Sequence, residues 1–344
     1  MSGFHVSKRP RVAVIGTGGT FAMHARHSFD WIEYSESGVV HPIGDLMERM
    51  ERLAPDIDTV PVSFRTLGST SITPTDWLEL ARLIESTAAR ADIDAFVITH
   101  GTATLEETAW FLDLAVSPDI PVVMTGAQRP FNTEGSDAAA NLRAALAVSV
   151  SEGARGLGTL VVMDSLVFSA RDVTKAASFE LGAFEAPGAG PLARVEADAR
   201  VDWPARPCGK NTGQADKPRG ARFPIGDVAA LPRVDIVLSY AGADGAAIGA
   251  FVAAGAKAIV SAGLAPGRPA AGEIAAFAAA RASGVVIAQA TRAARGCVPV
   301  QEFLTRDGIL AGGTLSPQKL RILLMLAMTT TPGPEQLQRI ILDT

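Results

Sequence analysis

The 344-residue sequence is poor in cysteine, with Cys208 and Cys297 as the only two. They make one possible pair without motif spacing, which excludes a disulfide framework and a thiolate zinc site. Long apolar runs are also missing. The stretch ILLMLAM near the C-terminus falls far short of the roughly 20 residues a membrane span requires. The opening stretch MSGFHVSKRP has no apolar core of the kind a secretory leader carries, so the cytoplasm is the expected location. Basic and acidic residues nearly balance, 31 against 36 for a net charge of -5, and no Lys/Arg stripe is interleaved with aromatics. Neither nucleic acid nor a membrane is therefore an expected partner. There is no G-x-S-x-G elbow, which weakens a serine-hydrolase reading.

What is present is 48% hydrophobic content, enough for sizeable cores, in a regular alternation of short β-rich runs and helical patterns. RVAVIGT (11–17), DAFVITH (94–100), PVVMTG (121–126), TLVVMD (159–164), VDIVLSY (234–240), KAIVSAG (257–263) and GVVIAQA (284–290) read as strands. Most are apolar on both faces, so the expected fold class is α/β with a largely parallel sheet covered on both sides. TPTDWLELARLI offers Thr73 as N-cap with Pro74 behind it, and SPQKLRILLMLAM offers Ser316 with Pro317. The stretch 204–222, rich in Pro, Gly, Lys and Asn, reads as a linker between domains at 1–203 and 223–344. Segment 21–42 has no helical period and reads as a hairpin or a flap.

Three stretches can carry chemistry. VIGTGGTFA (14–22) runs a strand into a glycine-rich turn. Phe21 stands where a dinucleotide fingerprint needs its last glycine, and the Gly-Lys-Ser/Thr of a phosphate loop is absent. The turn could still cradle an oxyanion with backbone N–H groups, and Thr20 follows it. THGTATLEET (99–108) places Thr102 in a strand-to-helix turn, where catalytic groups tend to lie. Thr104 with Glu107 reads as a capping box, and His100 as a hydrogen-bonded structural residue. In SARDVTKAAS (169–178), Lys175 sits among small residues, and a partly desolvated lysine can take the proton of a threonine hydroxyl. HARH (24–27) has a spacing that could hold a metal weakly, but no further ligand accompanies it, so no metal is expected.

In this order, GTGGTFA, THGTATLEETA, TGAQRP (125–130), RDVTK (171–175), SAGL (261–264) and GGTLSPQK (312–319) resemble the motifs of the bacterial-type L-asparaginase family, which includes the glutaminase-asparaginases. The resemblance runs over nearly the whole chain. It implies a two-domain asparaginase-like fold, larger at the N-terminus and smaller at the C-terminus. It also implies a homotetramer of intimate dimers acting on small amides without metal or organic cofactor. Carried over by motif, Thr20 would be the nucleophile, assisted by Tyr34 on a flap. Thr102 and Lys175 would form a second catalytic pair, and Ser69 in LGSTS would hold a substrate carboxylate. Glu302 would be the glutamate that reaches a partner subunit's substrate.

Two positions depart from the family pattern. Ala103 stands where the second motif has an aspartate that binds an α-ammonium group, and Thr70 stands where a glutamine or another polar residue follows the serine. The expected function is therefore an amidohydrolase using a threonine nucleophile and an acyl-enzyme on a non-standard amide or lactam without a free α-ammonium. The alternatives are an L-asparaginase/glutaminase of reduced or altered specificity, and a ligand-binding homologue or engineered variant that has lost catalysis.

Overall fold

The computed structural model describes residues 8–50, 53–90, 92–116, 120–204 and 223–344. The chain divides into two compact units, Met1–Pro224 and Ile225–Thr344. Apart from Pro204, the linker expected at 204–222 lies outside the described residues, and so does Cys208.

In the N-terminal unit the strands are β1 (Arg11–Gly18), β2 (Asp58–Leu67), β3 (Ala95–Thr99), β4 (Val122–Thr125), β5 (Thr159–Met163) and β6 (Leu166–Ser169). After these come β7 (Thr174–Lys175), β8 (Phe184–Glu185), β9 (Ala193–Val195) and β10 (Val201–Asp202). Eight of them form one sheet in the order β10-β9-β6-β5-β4-β3-β1-β2. From β2 to β5 neighbouring strands run parallel, and from β5 to β10 they run antiparallel. Strands β7 and β8 make a separate small antiparallel pair. Every residue of β3, β4 and β5 is buried, as their unbroken apolar character dictates for strands covered on both faces.

Two strands follow other rules. β2 lies at the sheet edge, contains Pro61 and alternates partly buried with exposed residues, so it has no continuous apolar run. The β5–β6 hairpin turns through Asp164 and Ser165, both at positive φ, the pattern of a two-residue primed turn.

Helices α1 (Ile43–Arg49), α2 (Pro74–Ala88), α3 (Leu105–Ala115) and α4 (Ala138–Ser149) complete this unit. At the start of α2, Thr73 accepts the Asp76 N–H while the Asp76 carboxylate accepts from the Thr73 N–H, a complete capping box with Pro74 behind it. The box expected at Thr104 is not formed. The Thr104 hydroxyl turns away from α3 and donates to the Ser69 carbonyl at 2.7 Å, so the helix start has no side-chain cap.

The C-terminal unit has a fully parallel sheet of β11 (Val234–Leu238), β12 (Ala258–Gly263), β13 (Val286–Thr291) and β14 (Leu310–Ala311). Its helices are α5 (Ala246–Ala253), α6 (Ile274–Ala282), α7 (Glu302–Arg306), α8 (Pro317–Ala327) and α9 (Pro334–Asp343). Ser316 caps α8 through the Lys319 N–H, ahead of Pro317. Among the described residues, no helix is long and apolar enough to cross a membrane.

Candidate active site

The parallel register of β1 with β3 pairs Gly16 with Thr99 and carries both chains off the sheet at the same edge. Thr20 and Thr102 lie just beyond, at the carboxyl ends of adjacent parallel strands, where open α/β sheets bind ligands. Close approach here depends on glycine. A Cβ on Gly19 would run into the Gly101 Cα, and a Cβ on Gly101 would run into the Ser69 side chain. Gly19, at φ +72°, also occupies the left-handed region that other residues enter only with strain. Its N–H donates to the Leu67 carbonyl at 2.9 Å, so this amide is committed to the turn and is not the free oxyanion donor the glycine-rich stretch suggested.

Thr20 is buried, and its hydroxyl lies 2.7 Å from the Tyr34 hydroxyl. Tyr34 opens a short 3₁₀ turn (Tyr34–Ser37) within the 21–42 segment. That segment closes on itself like a hairpin. Met23 bridges Val40 antiparallel, the His24 N–H meets the Val39 carbonyl, and the His41 N–H meets the Ala22 carbonyl. The histidines of HARH diverge: His24 Nδ1 sits 3.1 Å from His41 Nε2, while His27 Nδ1 accepts the Phe29 N–H.

Lys175, on β7, places Nζ 2.7 Å from the Thr102 hydroxyl and 3.0 Å from Gln128 Oε1. Burial pushes its amine below the usual lysine range, while the Glu106 carboxylate pushes it back up. Glu106 belongs to α3, is buried, and accepts the Lys175 backbone N–H at 2.6 Å. The anion beside this lysine is thus Glu106, which orients its backbone, while a neutral carboxamide touches its amine.

Gln128 is buried in turn and donates through Nε2 to the Glu180 carbonyl at 2.9 Å. Asp137 holds the loop beneath it, accepting the N–H groups of Gln128 (2.9 and 3.0 Å) and Arg129 (3.0 Å). Burial raises the Asp137 carboxyl above its ordinary range against these bonds.

Of the remaining site candidates, Ser69 and Ala103 lie at the 101–104 turn, while Glu302 belongs to the C-terminal unit. Ser69 lies on a 3₁₀ turn (Ser69–Ser71), partly buried, with exposed Thr70 beside it. Ala103 is exposed in the turn between Thr102 and Thr104. Glu302 opens α7 in the C-terminal unit and is also exposed. His100 is fully buried between the Gly101 carbonyl (2.8 Å from Nδ1) and the Thr108 hydroxyl (3.0 Å from Nε2), and burial lowers its pKa to about 4. It is a structural, neutral imidazole. Sequence reasoning missed Glu106 and Gln128. Both stand inside quoted motifs, but a polar residue turned into an apolar helix face or loop has no periodic signature of its own.

Comparison with known proteins decides the family. The model described as "Asparaginase, N-terminal" matches residues 11–207, and "Glutaminase/Asparaginase C-terminal domain" matches residues 233–341. The chain belongs to the asparaginase family. L-asparaginase 2 of Escherichia coli is 34% identical over 334 residues, covering 96% of this chain and 92% of that protein. The glutaminase-asparaginase of Pseudomonas fluorescens biotype A is 32% identical over 336 residues, covering 97% and 90%. The crystal structure of a probable cytoplasmic L-asparaginase from Campylobacter jejuni superimposes with a TM-score of 0.89 at 32% identity, over 97% of this chain and 99% of the other. This asparaginase-family protein is accordingly an amidohydrolase, cleaving carbon–nitrogen bonds other than peptide bonds.

Proposed function

We propose that this asparaginase-family amidohydrolase works through an acyl-enzyme on Thr20 and acts on a small amide or lactam that lacks a free α-ammonium group. The observation that carries the reading is the desolvated Lys175 amine 2.7 Å from the Thr102 hydroxyl, a base next to a hydroxyl at the sheet's carboxyl edge. Thr20 Oγ attacks the amide carbon, and its proton travels through the Tyr34 hydroxyl to the leaving nitrogen as the C–N bond breaks. Water then attacks the ester. Its proton passes to the Thr102–Lys175 pair and on to Thr20 Oγ as the C–O bond opens, which releases the acid and restores the hydroxyl. Ser69 and Thr70 serve a substrate carboxylate.

Ala103 offers a methyl group in place of an ammonium-binding carboxylate, which favours neutral, larger or anionic groups at that place. The reading includes catalytic and C-terminal domains at 1–203 and 223–344, a cytoplasmic homotetramer of intimate dimers, and Glu302 completing the site of a neighbouring copy. A panel of asparagine, glutamine, their deaminated analogues, N-substituted asparagines and lactams tests it, with mass spectrometry to trap acyl-Thr20. Ordinary efficiency on plain asparagine overturns it.

The names of the relatives favour a second reading, an asparaginase or glutaminase of altered specificity in which another carboxylate takes over the ammonium contact. Ala103→Asp then changes asparagine turnover little.

A further inference from the structure

Among the described residues, the Lys175 amine bonds the Gln128 carboxamide as well as the Thr102 hydroxyl, and the carboxamide's orientation is fixed. Its Nε2 faces the Glu180 carbonyl, which can only accept, so the end of the carboxamide turned to Lys175 is the oxygen. Below it, Asp137 holds the Gln128 and Arg129 N–H groups, and Asn141 ties Asp137 to the Gly126 carbonyl. A buried acceptor is thus presented to the amine on a clamped loop.

We propose that Gln128 is the positioning residue that orients Lys175 as a base, its Oε1 accepting one amine N–H so that the nitrogen lone pair is left for the Thr102 hydroxyl. The inference deepens the function proposed above and rests on that reading for its catalytic meaning. A neutral amine has two N–H bonds and one lone pair, and of its two close partners only the Thr102 hydroxyl can give a proton. With Gln128 fixed as acceptor, the Thr102 proton has one destination, Nζ. A carboxylate in this position would give the same geometry and also hold a proton on the amine by charge. The carboxamide keeps the geometry and omits the charge, which suits a base that must be neutral before it acts. Burial of Lys175 works in the same direction. Charged groups on the surrounding elements include Glu106, Glu107 and Asp113 on α3, Glu185 opposite Thr174 on β8, the Arg171–Asp172 pair in the turn before β7, Arg129 and Asp137 beside Gln128, and Glu180, whose carbonyl holds it. All are unchanged in the variants below.

The test measures Lys175 acetylation by acetic anhydride against pH, read by mass spectrometry on the full-length protein. Only the neutral amine reacts, so the midpoint reports the lysine without any need for turnover. Gln128→Glu should move the midpoint, and the acid limb of kcat/KM, upward by about one unit or more. Gln128→Met, which removes the acceptor without adding charge, should leave the midpoint below the ordinary lysine range but lower kcat about tenfold or more, with KM within about twofold. An unmoved midpoint in Gln128→Glu overturns the proposal, as does wild-type kcat in Gln128→Met. Should Gln128→Met fail to fold, the midpoint in Gln128→Glu decides alone. The two failures are distinguishable: a shifted midpoint without turnover of any amide sinks the proposed function, and acyl-Thr20 with an unmoved midpoint sinks the role of Gln128.

Discussion

At the carboxyl ends of β11 to β13, polar side chains are buried and bonded inward. Ser239 donates to Glu273 Oε2 at 2.7 Å, the same oxygen takes the Ala270 N–H at 2.7 Å, and Gln289 Nε2 reaches the Ser261 carbonyl and hydroxyl at 3.1 Å. Ser239, Ser261 and Glu273 are wholly buried. The corresponding edge of the N-terminal sheet is built on the same parallel geometry, but its hydroxyls meet a phenol and an amine: Thr20 with Tyr34, Thr102 with Lys175. In the first cluster a carboxylate and a carboxamide hold the hydroxyls, with no lysine amine or phenol among these partners. A lysine amine with its pKa lowered by burial and set against a hydroxyl is what distinguishes the second cluster, and under the proposed function it separates scaffold from chemistry where the strand patterns look alike.

The strongest way to break this contrast is to remove the hydroxyl proposed as the nucleophile. Thr20→Ala should lower kcat by at least about a thousandfold in steady-state assays and leave the urea midpoint unmoved. A loss of stability with activity kept would place Thr20 among the scaffold groups. The next effect concerns recognition. Ala103→Asp should raise kcat/KM for asparagine by roughly 30-fold to several thousand-fold, the equivalent of about 2–5 kcal/mol for a restored charge pair. An unchanged value supports the second reading of the function.

Third comes a scaffold group beside the reactive edge. The imidazole of His100 has its folded pKa near 4 against an ordinary 6.5. Between these values the unfolded chain binds a proton that the folded chain refuses, so stability is full above pH 6.5 and falls as the pH drops toward 4. The loss is about 3 kcal/mol and levels off below that pH. Urea midpoints at pH 7.5 and 4.5 measure it, and His100→Gln should flatten that part of the profile. The smallest expected effect lies in the inward-bonded cluster. Ser239→Ala should cost about 1–3 kcal/mol of stability, with kcat within about twofold of wild type. A large fall in kcat would show that the two edges are not as distinct as their bonding suggests.

The fold was legible wherever one rule dominated. Strands buried on both faces read directly as apolar runs, and Thr73-Pro74 and Ser316-Pro317 marked true helix starts. β2 was not legible, because an edge strand with Pro61 and half-exposed residues satisfies neither template. Thr104 failed for a tertiary reason: the Ser69 carbonyl, 35 positions away in sequence, claims its hydroxyl. At the site, the residue types of Thr20, Thr102 and Lys175 were visible in their motifs. The convergence of Gln128 and Glu106 on Lys175 follows from strand order and from the turn into β7, which no local pattern encodes.

The buried chain that ends at His100 begins at an indole. Trp77 Nε1 donates to the Thr108 hydroxyl at 2.9 Å, that hydroxyl meets His100 Nε2, and the Trp77 ring stacks on Phe111. Charging the imidazole would therefore reverse the Thr108 hydroxyl and disturb the field at the indole. With Trp31, Trp110 and Trp203 replaced, Trp77 should report the His100 proton as a shift in ultraviolet emission, without any added dye.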